Sequence, residues 1–301
     1  MRDLVKKVVI PVAGMGTRFL PVTKSVPKEL LPVGTTPILQ IVIEEAIASG
    51  AEEVVLVTSQ DKAGVAEYFC EKTAYDRRLA TLNKEKLLDG LRLLTKRARF
   101  VTAIQDEPRG LGHAILCAKQ AVGDEPFLII LPDVIIESAS PCCRQLVEAY
   151  AKCGCAVNAT EHTPRGQLHL YGIYDIASSE GRFHRARGVV EKPSAEEAPS
   201  DLSVVGRYLF PPEVFGILEN TPPGRGGEIQ LADAMNTLAG RGRMIAYEYE
   251  GRQFDTGDPV GFLKANIFYG RRAHPDEIDA FMRETMGMGK QRPDSSSNID
   301  E

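Results

Sequence analysis

Residues 13–32 read AGMGTRFLPVTKSVPKELLP. A glycine-rich turn is followed by Arg18, Lys24 and Lys28, with no acid until Glu29. Gly14 and Gly16 lack the side chains that would keep backbone N–H groups away from an anion. The apolar run Val8–Val12 just upstream predicts a buried parallel strand. The turn therefore leaves that strand's carboxyl end, where open α/β sheets bind ligands. Five cations lie between Lys6 and Lys28 without an intervening acid, more than a solvated turn needs. The stretch reads as a site for a nucleoside triphosphate in an α/β protein.

Two other phosphate loops are excluded. A Walker loop needs Gly-Lys-Ser/Thr before a helix, and this tripeptide is absent. A dinucleotide fingerprint wants a third small residue where Phe19 stands, and an acid near Thr35 and Thr36. Pro21, Pro27 and Pro32 also prevent a regular helix from opening at the loop.

Composition agrees with a folded α/β chain: 301 residues, 43% hydrophobic and 26% charged. A net charge of −5 with no broad basic face argues against nucleic acid. No run approaches the roughly 18 apolar residues of a membrane span. The N-terminal residues lead into a strand without a secretory apolar core, which points to the cytoplasm. The six cysteines show no zinc spacing and read as reduced thiols, with Cys70 and Cys117 on apolar helical stretches. The histidines show no metal-ligand spacing.

Short apolar strands are expected at Val8–Val12, Glu53–Thr58, Arg99–Ile104 and Pro126–Leu131. Helical periodicity covers Pro37–Ser49, Gly64–Cys70 and Gly112–Ala121, with Gly50 closing the first. The alternation predicts a Rossmann-like, doubly wound sheet. Strands at Ala156–Thr160, Leu168–Ile176, Arg187–Val190 and Ser203–Phe210 predict an antiparallel extension. Helices follow at Pro212–Leu218, Glu228–Leu238 and Pro259–Tyr269. One domain over 1–286 is expected, with a nucleotide-binding half to about 135 and a second half over about 136–270. The helices of 259–286 close it, and 287–301 is expected to be a disordered tail.

The motif G-x-G-T-R-F-L-P-x-T-K-x-x-P-K-E-L-L-P resembles the signature of the sugar-nucleotide pyrophosphorylases. The likeness continues in Q-x-E-P-x-G-L-G-H-A (105–114), L-P-D-V (131–134), Y-G-I (171–173), V-V-E-K-P (189–193) and V-G-R-Y (205–208). It ends with T-P-P-G-x-G-G-E-I-Q-L-x-D-A (221–234) and D-x-G (255–257). Eight blocks in one order cover nearly the whole chain. The resemblance implies a mixed sheet with an antiparallel sugar-binding extension, and within the family it is to the uridylyl branch. That branch implies UTP and glucose 1-phosphate as substrates, Mg2+ as cofactor, UDP-glucose and pyrophosphate as products, and a dimer or tetramer of identical chains. A thymidylyl transferase, another hexose 1-phosphate specificity, and a non-catalytic regulatory homologue are the alternatives. The Thr17–Arg18 pair, which some relatives lack, is kept here. The chain runs shorter than many relatives around 136–146.

Such a transfer needs no general base, because the attacking phosphate oxygen is already an anion. It needs positioning, a divalent metal and fixed cations. The resemblance makes Asp133 and Asp255 the metal pair; each, read alone, also suits a turn or helix cap. Arg18 and Lys28 are assigned to the triphosphate, and Lys192 to the sugar's phosphate. Pro193 should restrict Lys192 to an extended conformation. Glu191 should then face away from Lys192, so its implied place on the sugar hydroxyls requires a kink. Gln105 can offer a donor and an acceptor to a uracil edge, aided by Ala13, Gly14 and Gly110, with Gly16 and Thr17 in the phosphate loop and Glu29 nearby. Gly172, Gly206 and Glu228 are implied at the sugar; the glycines also suit a bulge or turn, and Glu228 a helix's first turn. His113 is expected to support the base site rather than transfer a proton.

Overall fold

The computed structural model describes residues 4–69 and 73–285; Cys70 and the tail at 287–301 lie outside them. Thirteen strands occur among the described residues. They are β1 (Lys7–Pro11), β2 (Pro32–Val33), β3 (Thr36–Pro37), β4 (Glu53–Thr58), β5 (Arg99–Ile104), β6 (Phe127–Ile130) and β7 (Val134–Glu137), then β8 (Ala156–His162), β9 (Gly172–Glu180), β10 (Phe183–Glu191), β11 (Leu202–Phe210), β12 (Met244–Glu248) and β13 (Arg252–Asp255). Nine of them form one sheet in the order β5-β4-β1-β6-β11-β8-β12-β10-β9.

Four parallel strands start the sheet: β1 lies between β4 and β6, with Val9 opposite Val55 on one side and Ile129 on the other. These strands alternate sides without alternating polarity. Val8, Ile10, Val54 and Leu56 join one apolar layer, and Val9, Val55 and Val57 the other. Apolar residues at consecutive positions are required because helices cover both faces. The helices at Ile38–Ala48 and Cys142–Cys153 cover the first face; those at Leu111–Cys117, Glu213–Glu219 and Leu231–Gly240 cover the second. From β1 the chain winds outward through β4 to β5, then returns to place β6 on β1's other side. The crevice for a ligand opens at that reversal, above β1 and β6.

The second half extends the same sheet by mostly antiparallel pairing, with β12 and β8 the parallel exception. The strand expected from Leu168 begins only at Gly172; Arg165–Leu170 form a 3-10 turn, as Pro164 and Gly166 favour. The helix expected over 112–121 is divided into Leu111–Cys117 and Lys119–Val122. The helix expected from Glu228 begins at Leu231, and Glu228 itself is extended (φ −90°, ψ 144°), so it is no first-turn acid.

A third apolar cluster lies where the site will form. Leu31, Val33 and Ile38 pack with Ile135, Phe254 and Ala265, and Phe19 meets Phe262 edge to face at 5.5 Å. The residue that spoils a dinucleotide fingerprint is thus an anchor for the helix Pro259–Ala273. The same cluster backs the two-stranded ribbon of β7 and β13, in which Asp255 stands opposite Val134. No described helix is long and apolar enough to cross a membrane.

Candidate active site

After β1 the chain makes three 3-10 turns, Thr17–Phe19, Val22–Lys24 and Lys28–Leu30, instead of a helix. Gly16 has φ +66°, and a Cβ there would come within 3.1 Å of Lys28 Cβ. Glycine thereby lets the loop fold back on the stem of Lys28. Thr23 Oγ1 donates to Gly16 O at 2.8 Å and ties the turns together.

A cavity of about 270 Å³ lies beside this loop, lined by Ala13, Gly14, Lys28, Glu29, Gln105, Gly110, Asp133 and Glu228 among others. Gly110 (φ +91°) opens the helix Leu111–Cys117 and allows a close approach. A Cβ on it would lie 2.8 Å from Glu228 Cβ and 2.9 Å from Ile229 O. Hydrogen bonds from Ile229 N to Arg109 O and from Gly112 N to Ile229 O lock the two segments together. Glu228 is thereby placed at this cavity.

Gln105 is buried at the end of β5. Its Nε2 donates to Gly110 O at 3.1 Å and lies 3.1 Å from His113 Nδ1. The expectation that Gln105 offers both donor and acceptor is corrected: the amide nitrogen is engaged inward. Burial, then Arg109, pulls the His113 imidazole below its ordinary pKa, so at neutral pH it is uncharged.

The acids meet at Gly257. A Cβ there would approach Asp133 Oδ2 at 2.8 Å and Asp255 Oδ1 at 3.2 Å, so the two carboxylates flank one small residue. Asp133 lies in the turn between β6 and β7, and Asp255 ends β13. Thr256 clamps the turn, donating from its N and Oγ1 to Asp133 O at 2.7 and 2.9 Å. Burial and then the Asp133 charge raise the Asp255 carboxyl above its usual range. Lys28 Nζ donates to Asp133 Oδ2 at 2.6 Å. Burial opposes its charge, but Asp133 outweighs it and holds the ammonium above its ordinary pKa.

A larger cavity, about 700 Å³, opens on the other side of Asp255, lined by Arg18, Tyr171, Lys192, Arg252 and Lys264 among others. Arg18 Nη1 donates to Gly257 O at 3.3 Å. Lys24 is exposed and lines neither cavity.

Lys192 departs from expectation. Its φ is +48°, outside the extended region that Pro193 favours, and its N–H donates to Tyr171 O at 3.0 Å. The chain must leave β10 here while keeping that bond, and the left-handed turn does both. The same turn breaks strand alternation: Lys192 Nζ and Glu191 Oε1 stand 3.8 Å apart instead of on opposite faces. β10 is also irregular between Arg185 and Gly188. Glu191 lies near Gly172, where a Cβ would meet its Oε2 at 3.1 Å. Its charge and that of Asp133, after burial, both push up the Tyr208 hydroxyl. Gly206 does not line these cavities; a Cβ there would press on Leu131 and Val134 at 2.9–3.1 Å, so it admits the Asp133 turn close to β11.

Two features escape the sequence. Lys62 donates to the carbonyls of Val12 and Gly14 and to Glu29, fixing the loop from below. Burial raises the Glu29 carboxyl despite the pull of Lys62 and Lys28. Nothing in local spacing signals Lys62. Arg207, wholly buried, pairs with Glu45 at 2.9 Å and donates to the carbonyls of Leu131, Gly206 and Val134, around the Asp133 turn. A lone cation inside the apolar strand LSVVGRYLF was its available signal.

Known proteins share this architecture. A nucleotidyl transferase family model matches residues 7–272. A UTP–glucose-1-phosphate uridylyltransferase of Bacillus subtilis is 41% identical over 280 residues, which is 92% of this chain and 96% of the relative. A UTP-bound UGPase from Acinetobacter baumannii superposes with a TM-score of 0.84 at 38% identity, covering 94% of this chain and 99% of that one. A UDP-glucose pyrophosphorylase complexed with UDP-glucose gives 0.82 at 36%, over 89% and 99%. Matched by that family model over most of its length and by relatives near 40% identity, the chain belongs to the nucleotidyl transferase family.

Proposed function

We propose that this protein transfers a uridylyl group from UTP to glucose 1-phosphate, yielding UDP-glucose and pyrophosphate with the aid of magnesium. One observation carries the reading: a base-sized cavity and a cationic cavity meet at the Asp133–Asp255 pair. The relatives' names and bound nucleotides supply the choice of substrates.

An oxygen of the sugar phosphate attacks the α-phosphorus; the new bond forms there as the bond to the bridging oxygen of pyrophosphate breaks. The nucleophile arrives as an anion, so no side chain has to remove a proton. What the chain must do is bring two polyanions together. Gln105, Gly110 and the Ala13–Gly14 backbone hold the base. Arg18 and Lys28 face the triphosphate from the loop, and Lys192 holds the sugar's phosphate from across the larger cavity. Glu228, at the smaller cavity, and Gly172 and Glu191, which line neither cavity, remain the candidates for the sugar.

Asp133 and Asp255 suit magnesium: two neighbouring carboxylates, one already strained by the other's charge, form an all-oxygen donor set. No larger cluster of His, Cys, Asp or Glu accompanies them among the described residues, which suits an ion that takes its other oxygens from phosphates and water. Bound there, magnesium supplies positive charge to phosphate oxygens as negative charge gathers on the leaving group.

Purified protein with magnesium and glucose 1-phosphate should release pyrophosphate from UTP, and EDTA should abolish the release. A preference for dTTP would move the enzyme to the thymidylyl branch. No release from either, with UTP still bound, would overturn the transfer reading. Lys192→Ala should raise the KM for glucose 1-phosphate about ten- to a hundredfold, the loss of a charge-assisted contact. An unchanged KM for that substrate would remove Lys192 from the site.

A further inference from the structure

Lys62 closes the 3-10 turn Gln60–Lys62 that follows β4, and it reaches back under the loop that leaves β1. Its Nζ donates to Val12 O at 2.9 Å, to Gly14 O, and to Glu29 Oε2 at 3.1 Å. An ammonium has three N–H bonds, so these partners use all of them. Lys62 does not line the smaller cavity, whereas Ala13, Gly14 and Met15 do. Glu29 balances its charge, so what Lys62 supplies to the loop is direction.

In a trans peptide the C=O of one residue and the N–H of the next point opposite ways. The Val12–Ala13 and Gly14–Met15 peptides are both trans. Drawing the carbonyls of Val12 and Gly14 to Lys62 therefore turns the N–H groups of Ala13 and Met15 away from it. Neither of these, nor the N–H of Gly14 or Gly16, has an acceptor among the described residues. Unpaired N–H groups in succession on one loop form a concavity for oxygen acceptors. Such a loop needs an external grip, because Gly14 and Gly16 give it little conformational preference of its own. Thr23 holds the carbonyl of Gly16. Over residues 13–15 the bond from Lys62 is the only hydrogen bond to the backbone among the described residues.

We infer that Lys62 is a positioning residue: by gripping alternate carbonyls, it aims the N–H groups of Ala13 and Met15 into the smaller cavity as donors to the oxygens of a nucleotide. This rests on a nucleotide binding at that cavity, and it adds to that reading the side chain that sets the loop. Lys62 touches no substrate itself. Without it the two peptides can rotate, and the donors no longer point one way.

The test separates this role from the ion pair with Glu29. Removing Lys62 alone would leave a buried carboxylate unpaired. The comparison is therefore made in E29Q, where a neutral amide takes that place and Lys62 can keep both carbonyls. UTP binding is measured by calorimetry, with magnesium and without sugar phosphate, on E29Q, E29Q/K62M and E29Q/K62R. Methionine keeps the length without a donor, and arginine keeps donors. A thermal melt identifies folded protein. E29Q/K62M should bind UTP about ten- to a hundredfold more weakly than E29Q, and E29Q/K62R within about threefold of it. The KM for glucose 1-phosphate should stay within about twofold between E29Q and E29Q/K62M, which a general loosening of the fold would not spare. Equal UTP affinity in E29Q and E29Q/K62M, an equal loss in E29Q/K62R, or a matching rise in the sugar phosphate KM would overturn the inference. Should E29Q/K62M not fold, E29Q/K62R decides: affinity near that of E29Q supports the role, and its loss from a folded variant overturns it. Should E29Q itself not bind UTP, K62M and K62R are compared with the wild type, with the same outcomes. Calorimetry needs no turnover, so a protein whose UTP binding depends on Lys62 but which releases no pyrophosphate would fail the proposed function and leave the role of Lys62 standing.

Discussion

Asp133→Asn should lower turnover about a hundred- to a thousandfold while shifting stability by no more than about 1 kcal/mol. The asymmetry follows from how the residue is held. Its backbone carbonyl takes both bonds from Thr256, so the turn keeps its shape whatever the side chain carries. The Lys28–Asp133 pair is 21% and 29% exposed, and asparagine retains an oxygen for the lysine. What disappears is one negative charge beside Asp255. Pyrophosphate release and a thermal melt together check this. A melting temperature that falls in step with turnover, or turnover within threefold of the wild type, would remove Asp133 from the chemistry.

Glu45→Leu should lower stability as well as turnover. Arg207 would remain wholly buried with no counter-charge, and breaking such a pair from one side costs about 3–5 kcal/mol. Against a typical total of about 5–15 kcal/mol, most of the margin is lost. Urea denaturation should show the midpoint fall sharply. Adding Arg207→Met should regain much of the stability, because no unpaired buried charge remains. Turnover should not return with it, since the carbonyls of Leu131 and Val134 still lack the guanidinium that gripped the Asp133 turn. Full recovery of turnover in the double variant would show that the pair serves stability alone.

The contrast between these two sites explains what could be read in advance. β4 and β5 fall on the expected residues because an apolar run bounded by turn formers is a local signal. That Ala13, Gly14, Gln105 and Asp133 come together around one cavity was legible because each sits at the end of such a strand. Lys192 was misjudged because one long-range bond, from its N–H to Tyr171 O, outweighs the local preference that Pro193 imposes. The division of labour within Gln105 was hidden for a related reason: it depends on where Gly110 and His113 come to rest. Lys62 meets Glu29 across 33 positions, and Glu45 meets Arg207 across 162. No period or spacing connects such partners; only the packed sheet does.

The β7–β13 ribbon sets a timetable for synthesis. Apart from Glu228, every residue around the smaller cavity has been added once the ribosome passes Asp133. The larger cavity draws its far wall from residues 252–264, including the second acid. A growing chain therefore adds most residues of the smaller cavity long before the second of the paired acids, and premature termination in between yields a chain without Asp255. On the role proposed for Asp255, catalytic competence is among the last properties that this protein acquires as it is made.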